Sequence, residues 1–317
     1  MTLAMVFPGQ GSQSVGMMAE LAAEHTVVRD IFSEASAALD YDLWQRIAEG
    51  PAEALNATAC TQPAMLAAGV ATWRLWTECG GQVPAVVSGH SLGEFTALVC
   101  AGVFDFADAL RLVRTRGELM QTAMPAGAGA MAAVLGMEDA ALEAVCAEAA
   151  QGEVVEAVNY NSPGQVVIAG HAAAVSRAMA LAKSRGAKRA VLLPVSVPAH
   201  SSLMQAAAEQ LRGRLEALAM RSPRLRYVSA VDAQPHSDVD DIRATLVRQL
   251  ASPVRWTQTV LALTADGPGT MLECGPGKVL TGLNRRIEKG HHVTCLAIED
   301  AATLKHALIH FRGGPHV

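Results

Sequence analysis

The stretch Val86-Val87-Ser88-Gly89-His90-Ser91-Leu92-Gly93-Glu94 reads as a buried strand, a tight turn and the first turn of a helix. Glycines at 89 and 93 flank Ser91 where a strand-to-helix elbow brings backbone segments too close for side chains, and such an elbow lifts a serine hydroxyl clear of the fold. The residues that follow, Phe95-Thr96-Ala97-Leu98-Val99-Cys100, are apolar enough for a core helix. Its N-terminal N–H groups would point at an oxyanion formed beside Ser91. A G-x-S-x-G pattern also arises by chance at ordinary glycine and serine usage, as a structural glycine turn. The apolar run before it and the helical run after it are therefore what make Ser91 a candidate nucleophile.

The 317 residues suffice for one large domain or two smaller ones. Hydrophobic residues make up 51% and aromatic ones only 4%, which points to an interior of Ala, Val and Leu, as in helices packed on a sheet. The net charge of -5 argues against nucleic-acid binding while leaving room for a local basic patch. Cysteines at 60, 79, 100, 146, 274 and 295 show neither C-x-x-C nor metal spacing, so free thiols in a cytoplasmic protein are expected, with Cys100 and Cys274 in the core. No metal, signal peptide or membrane span is expected; the longest apolar run, 63–73, is stopped by Arg74.

Outward from the elbow, residues 3–7 read as a first strand, followed by Pro8-Gly9-Gln10-Gly11-Ser12-Gln13. A dinucleotide fingerprint would need glycine where Ser14 stands, and a Walker loop fails at Val279 after Gly277-Lys278. The turn is thus either a ligand loop or a plain strand-to-helix connection. Helical periodicity covers 28–39, 43–48 and 62–79. In a further helix, N-capped by Asp105, the core-facing positions are Ala109, Leu112, Val113, Arg116, Gly117 and Met120. Arg116 is therefore aimed inward, where an unpaired guanidinium is costly. Either an internal salt bridge or a substrate carboxylate must meet it, and arginine's fork suits the latter.

From residue 129 the pattern becomes strand 130–135, helix 139–150, strands 154–160 and 165–170 joined by Ser162-Pro163-Gly164, helix 172–185 and strand 188–194. This β-α-β-β-α-β order is that of a ferredoxin-like insert. Helix 203–218, a strand over 225–231, helices 242–250 and 256–265, strand 270–273 and helix 279–286 return to α/β alternation, ending in a short strand, a helix and a frayed tail over 313–317. The fold expected is α/β, with a catalytic domain over 1–126 and 198–317 and a subdomain over 127–197.

A serine nucleophile needs a base. His291, His292, His310 and His316 lie in polar or terminal sequence, and His25, His236 and His306 in surface-like contexts, so all seven read as solvated. His90 adjoins the nucleophile and should point away from it. His200, two residues after Pro198 where the insert rejoins the main body, is the best candidate. An α/β-hydrolase esterase would place an acid between serine and histidine and often an H-G-G-G loop; neither is evident. A backbone or amide carbonyl would then have to orient His200.

Gly9-Gln10-Gly11-Ser12-Gln13, Gly89-His90-Ser91-Leu92-Gly93-Glu94, Arg116-Gly117-x-x-Met120-Gln121, Asn161-Ser162-Pro163-Gly164-Gln165, Pro198-x-His200 and Glu273-x-Gly275-Pro276-Gly277 together resemble the malonyl-CoA:acyl carrier protein transacylases of bacterial type II fatty-acid synthesis. The resemblance runs through nearly the whole chain in order. It implies an α/β-hydrolase-like core with the ferredoxin-like insert. Ser91 would be the residue that carries malonyl as an ester, His200 its general base and acid, and Arg116 the partner of the malonyl carboxylate. Backbone N–H groups of Gln10 and Leu92 would form the oxyanion hole, and the main-chain carbonyl of Gln249 would orient His200.

No resident cofactor is implied, since malonyl-CoA is substrate and the phosphopantetheine belongs to the partner. That partner, an acyl carrier protein, is acidic in the family, so a basic patch is expected; Lys188, Arg189, Arg285 and Arg286 are candidates, each equally readable as a solvated helix or loop end. A monomer is expected. Ala199 departs from the phenylalanine or serine that precedes the histidine in related modular-synthase domains, so strict exclusion of methylmalonyl groups is not expected. A malonyl transferase of a malonate decarboxylase or discrete polyketide system would have the same site. A serine esterase or thioesterase would be a different class, disfavoured by Arg116 and the missing acid.

Overall fold

The computed structural model of the protein describes residues 2–195, 197–265, 269–290 and 293–312. In chain order the strands are β1 (Thr2–Phe7), β2 (Val86–Gly89), β3 (Gly129–Leu135), β4 (Val155–Ser162), β5 (Gln165–His171), β6 (Arg189–Leu192), β7 (Arg226–Val228), β8 (Pro235–His236), β9 (Gly269–Cys274) and β10 (Thr294–Ile298). They form two sheets. The larger has the order β10-β9-β1-β2-β7-β8, parallel throughout except for the β7/β8 edge. The smaller, β4-β5-β3-β6, is antiparallel at every pairing.

Side-chain alternation explains why both sheets are covered. In β1, Leu3, Met5 and Phe7 enter one core with the helices Thr26–Leu39, Thr58–Glu78 and Phe106–Thr122, while Ala4 and Val6 enter a second core with Trp256, Val260 and Leu283 on the other face. In β3, Ala130, Ala132 and Val134 pack on the helices Asp139–Ala150 and Ala172–Ser184. Met131 faces the opposite way, with Val158, Val167 and Ala169, toward Leu193, Val195 and Ala199. The smaller sheet thus has one face for its own helices and one for the larger unit. Val254 N–H donates to the Val158 carbonyl (2.8 Å) and Tyr160 N–H to the Val254 carbonyl (2.9 Å), stitching β4 to the segment just beyond Gln249.

Several local expectations need correction. Pro63 favours a helix start at 62, yet the helix runs from Thr58 through the proline, with Thr61 Oγ1 donating to the Leu55 carbonyl (2.6 Å). Short helices at Ala19–Glu24 and Ala52–Asn56 lack enough periodicity to be anticipated. The strand expected over 225–231 is only Arg226–Val228, because Ser229 to Asp232 turn back into β8. The helix expected from 203 opens with a 3₁₀ turn, Ser202–Met204, before Gln205–Glu216.

Asp105 precedes its helix but makes no capping hydrogen bond; its carboxylate pairs with Arg221 at 3.1 Å instead. Cys274 is buried as expected, whereas Cys100, at the end of its helix, is half-buried. His236 and His310 are not simply solvated: they bond to Asp232 (3.1 Å) and to Thr270 (2.8 Å). The expectations for His291, His292, His316 and the tail 313–317 lie outside the described residues. Among the described residues no helix is long and apolar enough to cross a membrane.

Candidate active site

The elbow is built as its glycines require. β2 ends at Gly89, the helix Gly93–Cys100 begins three residues after His90, and Ser91 sits at φ 53°, a left-handed conformation uncommon for a serine. A Cβ on Gly93 would lie 2.0 Å from the Phe7 carbonyl oxygen, and one on Gly89 2.0 Å from the Gly93 carbonyl carbon. The serine is thus held by contacts in which no side chain fits at either flank. A Cβ on Gly9 would stand 2.5 Å from the His90 carbonyl oxygen, so the Pro8–Gln13 turn is pressed directly against the elbow.

Above Ser91 opens a cavity of about 250 Å³ between the two sheets. Gln10, Gly11 and Gln13 of the glycine turn line it on one side, and Met131, Leu193 and Val197 supply apolar lining. The backbone N–H groups of Gln10 and Leu92, both at the cavity, donate to no protein acceptor among the described residues. Two free N–H groups beside a serine hydroxyl are what an oxyanion would require.

His200 reaches the same point from the other side. It is 4% exposed, at φ 67°, and its Nε2 lies 2.7 Å from Ser91 Oγ. Its Nδ1 lies 2.8 Å from the main-chain carbonyl of Gln249. A carbonyl can only accept, so Nδ1 carries the proton and Nε2 presents its lone pair to the serine hydroxyl. Burial, followed by the positive charge of Arg116, pushes the imidazole down from 6.5 to about 3. The base is therefore neutral at neutral pH.

Arg116 is 1% exposed. Nη1 donates to Gln62 Oε1 (2.8 Å); Nη2 donates to Gln249 Oε1 (2.9 Å) and to Ser91 Oγ (3.2 Å), while Nε has no partner. No carboxylate lies within 4 Å of it among the described residues, so the salt-bridge alternative is not what the fold adopts. Neutral amides steer the guanidinium and leave its charge for something else. Burial lowers its pKa to about 10, opposed by the negative charge of Glu94, and at neutral pH it stays a cation.

His90 does turn from the serine. Its Nε2 meets Asn161 Oδ1 at 2.8 Å and its ring faces Trp256 at 5.6 Å. Ala199 lines the cavity. The basic residues do not: Lys188 and Arg189 stand beside Leu135, at the end of β3 roughly 13 Å along the strand from Met131. Arg286 is bonded to Gln165, the β5 partner of Leu135, so it adjoins the same end of the smaller sheet as Lys188 and Arg189. Arg285 instead donates to the Cys295 carbonyl (3.0 Å).

Gln62, Glu94 and the side chain of Gln249 belong to the site although nothing in their local sequence assigns them a role. The one signal is an acid, Glu94, opening an otherwise apolar helix.

Residues 4–300 match the acyl transferase domain family. Over 305 residues the chain is 54% identical to a malonyl CoA-acyl carrier protein transacylase of Salmonella typhimurium, covering 96% of this chain and 98% of that one. It is 43% identical over 307 residues to the protein of the same name from Bacillus subtilis, covering 96% of each. An acyl carrier protein S-malonyltransferase structure from Vibrio cholerae superposes with a TM-score of 0.93 at 54% identity, covering 96% of this chain and 99% of that one. A malonyl-transacylase solved in complex with a type II PKS acyl-carrier protein superposes with a TM-score of 0.96 at 51% identity, covering 98% and 100%. With its serine, histidine and arginine in one cavity, the chain belongs to the acyl transferase family, among the malonyl CoA-acyl carrier protein transacylases.

Proposed function

We propose that this protein moves the malonyl group from malonyl-CoA to the phosphopantetheine thiol of an acyl carrier protein, through a malonyl ester on Ser91, for fatty-acid synthesis. The observation that carries the reading is Ser91 Oγ placed between a neutral imidazole at 2.7 Å and, at 3.2 Å, a buried guanidinium that pairs with no carboxylate among the described residues. A base and a carboxylate receptor within reach of one hydroxyl suit an acyl group that bears its own negative charge.

Ser91 Oγ attacks the thioester carbon as His200 Nε2 takes the hydroxyl proton. The oxyanion falls to the N–H groups of Gln10 and Leu92. The C–S bond breaks, and His200 returns the proton to the departing CoA sulfur. In the second half the carrier thiol gives its proton to His200 and attacks the ester carbon, and Ser91 leaves with that proton. Gln249 keeps Nδ1 protonated throughout by accepting from it, so no carboxylate is needed beside the histidine. Arg116 holds the malonyl carboxylate, and that charge offsets the depression of His200, making the base stronger when the right acyl group is bound. No resident cofactor or metal enters these steps.

The architecture fits a hydrolase-like core, residues 1–126 and 198–317, around a ferredoxin-like subdomain over 127–197. The strand order β4-β5-β3-β6 with a helix after β3 and another after β5 supports the latter. A cavity complete within one chain fits a monomer, and a CoA thioester substrate with six free thiols fits the cytoplasm. The carrier is read as acidic, meeting Lys188 and Arg189, and Arg286 beyond them.

Intact mass after brief mixing with malonyl-CoA, then with holo acyl carrier protein, tests the cycle. A malonyl adduct on wild type but not on Ser91→Ala, discharged onto the carrier, is expected. Discharge to water would make the protein a hydrolase, and no adduct on folded protein would remove the malonyl reading.

A further inference from the structure

Glu94 is 0% exposed, in the first turn of the helix that follows the elbow. Its carboxylate accepts from three donors: Ser229 Oγ at 2.8 Å, the Ala230 backbone N–H, and Gln249 Nε2. Burial raises the pKa of this carboxyl on balance, opposed in part by the hydrogen bonds from Ala230, Ser229 and Gln249 and by the Tyr227 hydroxyl. A carboxylate buried at such cost, in a site whose reaction does not touch it, calls for a role.

The role is visible in what Gln249 does with its two ends. Gln249 is 1% exposed. Its amide NH₂ donates to Glu94 and to the Ser91 carbonyl (2.9 Å), and its amide oxygen accepts from Arg116 Nη2 (2.9 Å). The amide thus lies between a carboxylate and a guanidinium with its dipole matched to both. Turned over, it would set oxygen against carboxylate and NH₂ against guanidinium, two like-polarity contacts in a buried site.

We propose that Glu94 is a positioning residue for recognition of the acyl carboxylate: it locks the Gln249 amide in the orientation whose oxygen holds Arg116 over Ser91. This rests on the malonyl reading of the site. The same residue's main-chain carbonyl holds His200, so a loosened Gln249 also slows the base. The acid missing beside His200 is replaced by a carboxylate one residue removed, acting on arginine and histidine together through Gln249.

The test compares initial rates of Ser91 acylation by malonyl-CoA and by acetyl-CoA in wild type, Glu94→Gln, Gln249→Met and the double variant, each checked for folding by its melting temperature. Glu94→Gln keeps the shape, loses the charge, and should lower the malonyl-to-acetyl rate ratio about tenfold or more, the scale of one charge-assisted hydrogen bond. Once Gln249→Met is present, adding Glu94→Gln should change the ratio no further, because the path runs through the amide. A purely structural Glu94 would lower both rates alike and leave the ratio alone. An unchanged ratio in folded Glu94→Gln, or losses in the double variant that simply add, would overturn the proposal. If Glu94→Gln does not fold, Glu94→Asp serves: it keeps the charge but is one methylene short of Gln249, and a wild-type ratio there would overturn it equally. Failure of wild type to take malonyl at all would sink the malonyl reading instead, which separates the two.

Discussion

Arg116 Nη2 lies 3.2 Å from Ser91 Oγ, although Ser91 sits in the elbow turn before Gly93–Cys100, Arg116 lies inside the helix Phe106–Thr122, and the guanidinium is 1% exposed. A buried cation against a nucleophile would ordinarily harm the enzyme by weakening its base. On the proposed reading, the carboxylate of the malonyl group offsets that penalty.

Replacement of Arg116 should therefore separate substrates. Arg116→Ala is expected to reduce kcat/KM for malonyl-CoA about a hundredfold or more, as one or two charge-assisted hydrogen bonds are lost. Acetyl loading should stay similar or improve, because the charge that depresses His200 goes with the arginine. Equal losses for both thioesters, measured by stopped-flow acylation, would contradict the assignment.

The pH dependence follows from His200. Its folded pKa is lowered from 6.5 to about 3, so as pH falls from about 8 to about 5 the imidazole stays neutral and able to accept a proton. The kcat/KM for malonyl-CoA should show no acid limb near 6.5 over that range, once the substrate's own ionisation is allowed for. A limb there would mean that the histidine is solvated. The cost appears in stability: below 6.5 the unfolded chain binds a proton that the folded one refuses, so this group contributes less stability as pH falls.

Gly93 is a packing constraint before it is a catalytic one. An added methyl carbon would stand only 2.0 Å from the Phe7 carbonyl oxygen, so backbone must move to admit alanine. Gly93→Ala should cost about 3 kcal/mol or more in denaturant unfolding and abolish Ser91 acylation together. A variant as stable as wild type would show that the elbow yields.

Charge reversal at that end of the smaller sheet addresses the carrier. Lys188→Glu with Arg189→Glu should raise the KM for acyl carrier protein severalfold and leave that for malonyl-CoA unchanged, since neither residue lines the cavity. The increase should shrink as salt is added. Arg285 is a poorer probe than its sequence position suggests, because its guanidinium already serves the Cys295 carbonyl. Unchanged KM for the carrier would remove Lys188 and Arg189 from the docking surface.

The sequence alone determined those features that local geometry dictates: the elbow at Ser91, because glycines at 89 and 93 admit few other arrangements; the inward face of Phe106–Thr122, because its period places Arg116 with Leu112 and Met120; and the succession of strands and helices that builds the smaller sheet. Element ends were less legible, as at Thr58 and Val228, since a proline inside a helix and a turn back into β8 depend on neighbours rather than on pattern. Only the tertiary structure decided what meets Arg116. Gln62, Ser91 and Gln249 come from segments up to 133 residues away, and Glu94 joins them across 155 residues through one amide. Hydrogen bonds of that kind leave no periodicity in the chain, because their partners are chosen by where the two sheets close on each other and not by what stands next in sequence.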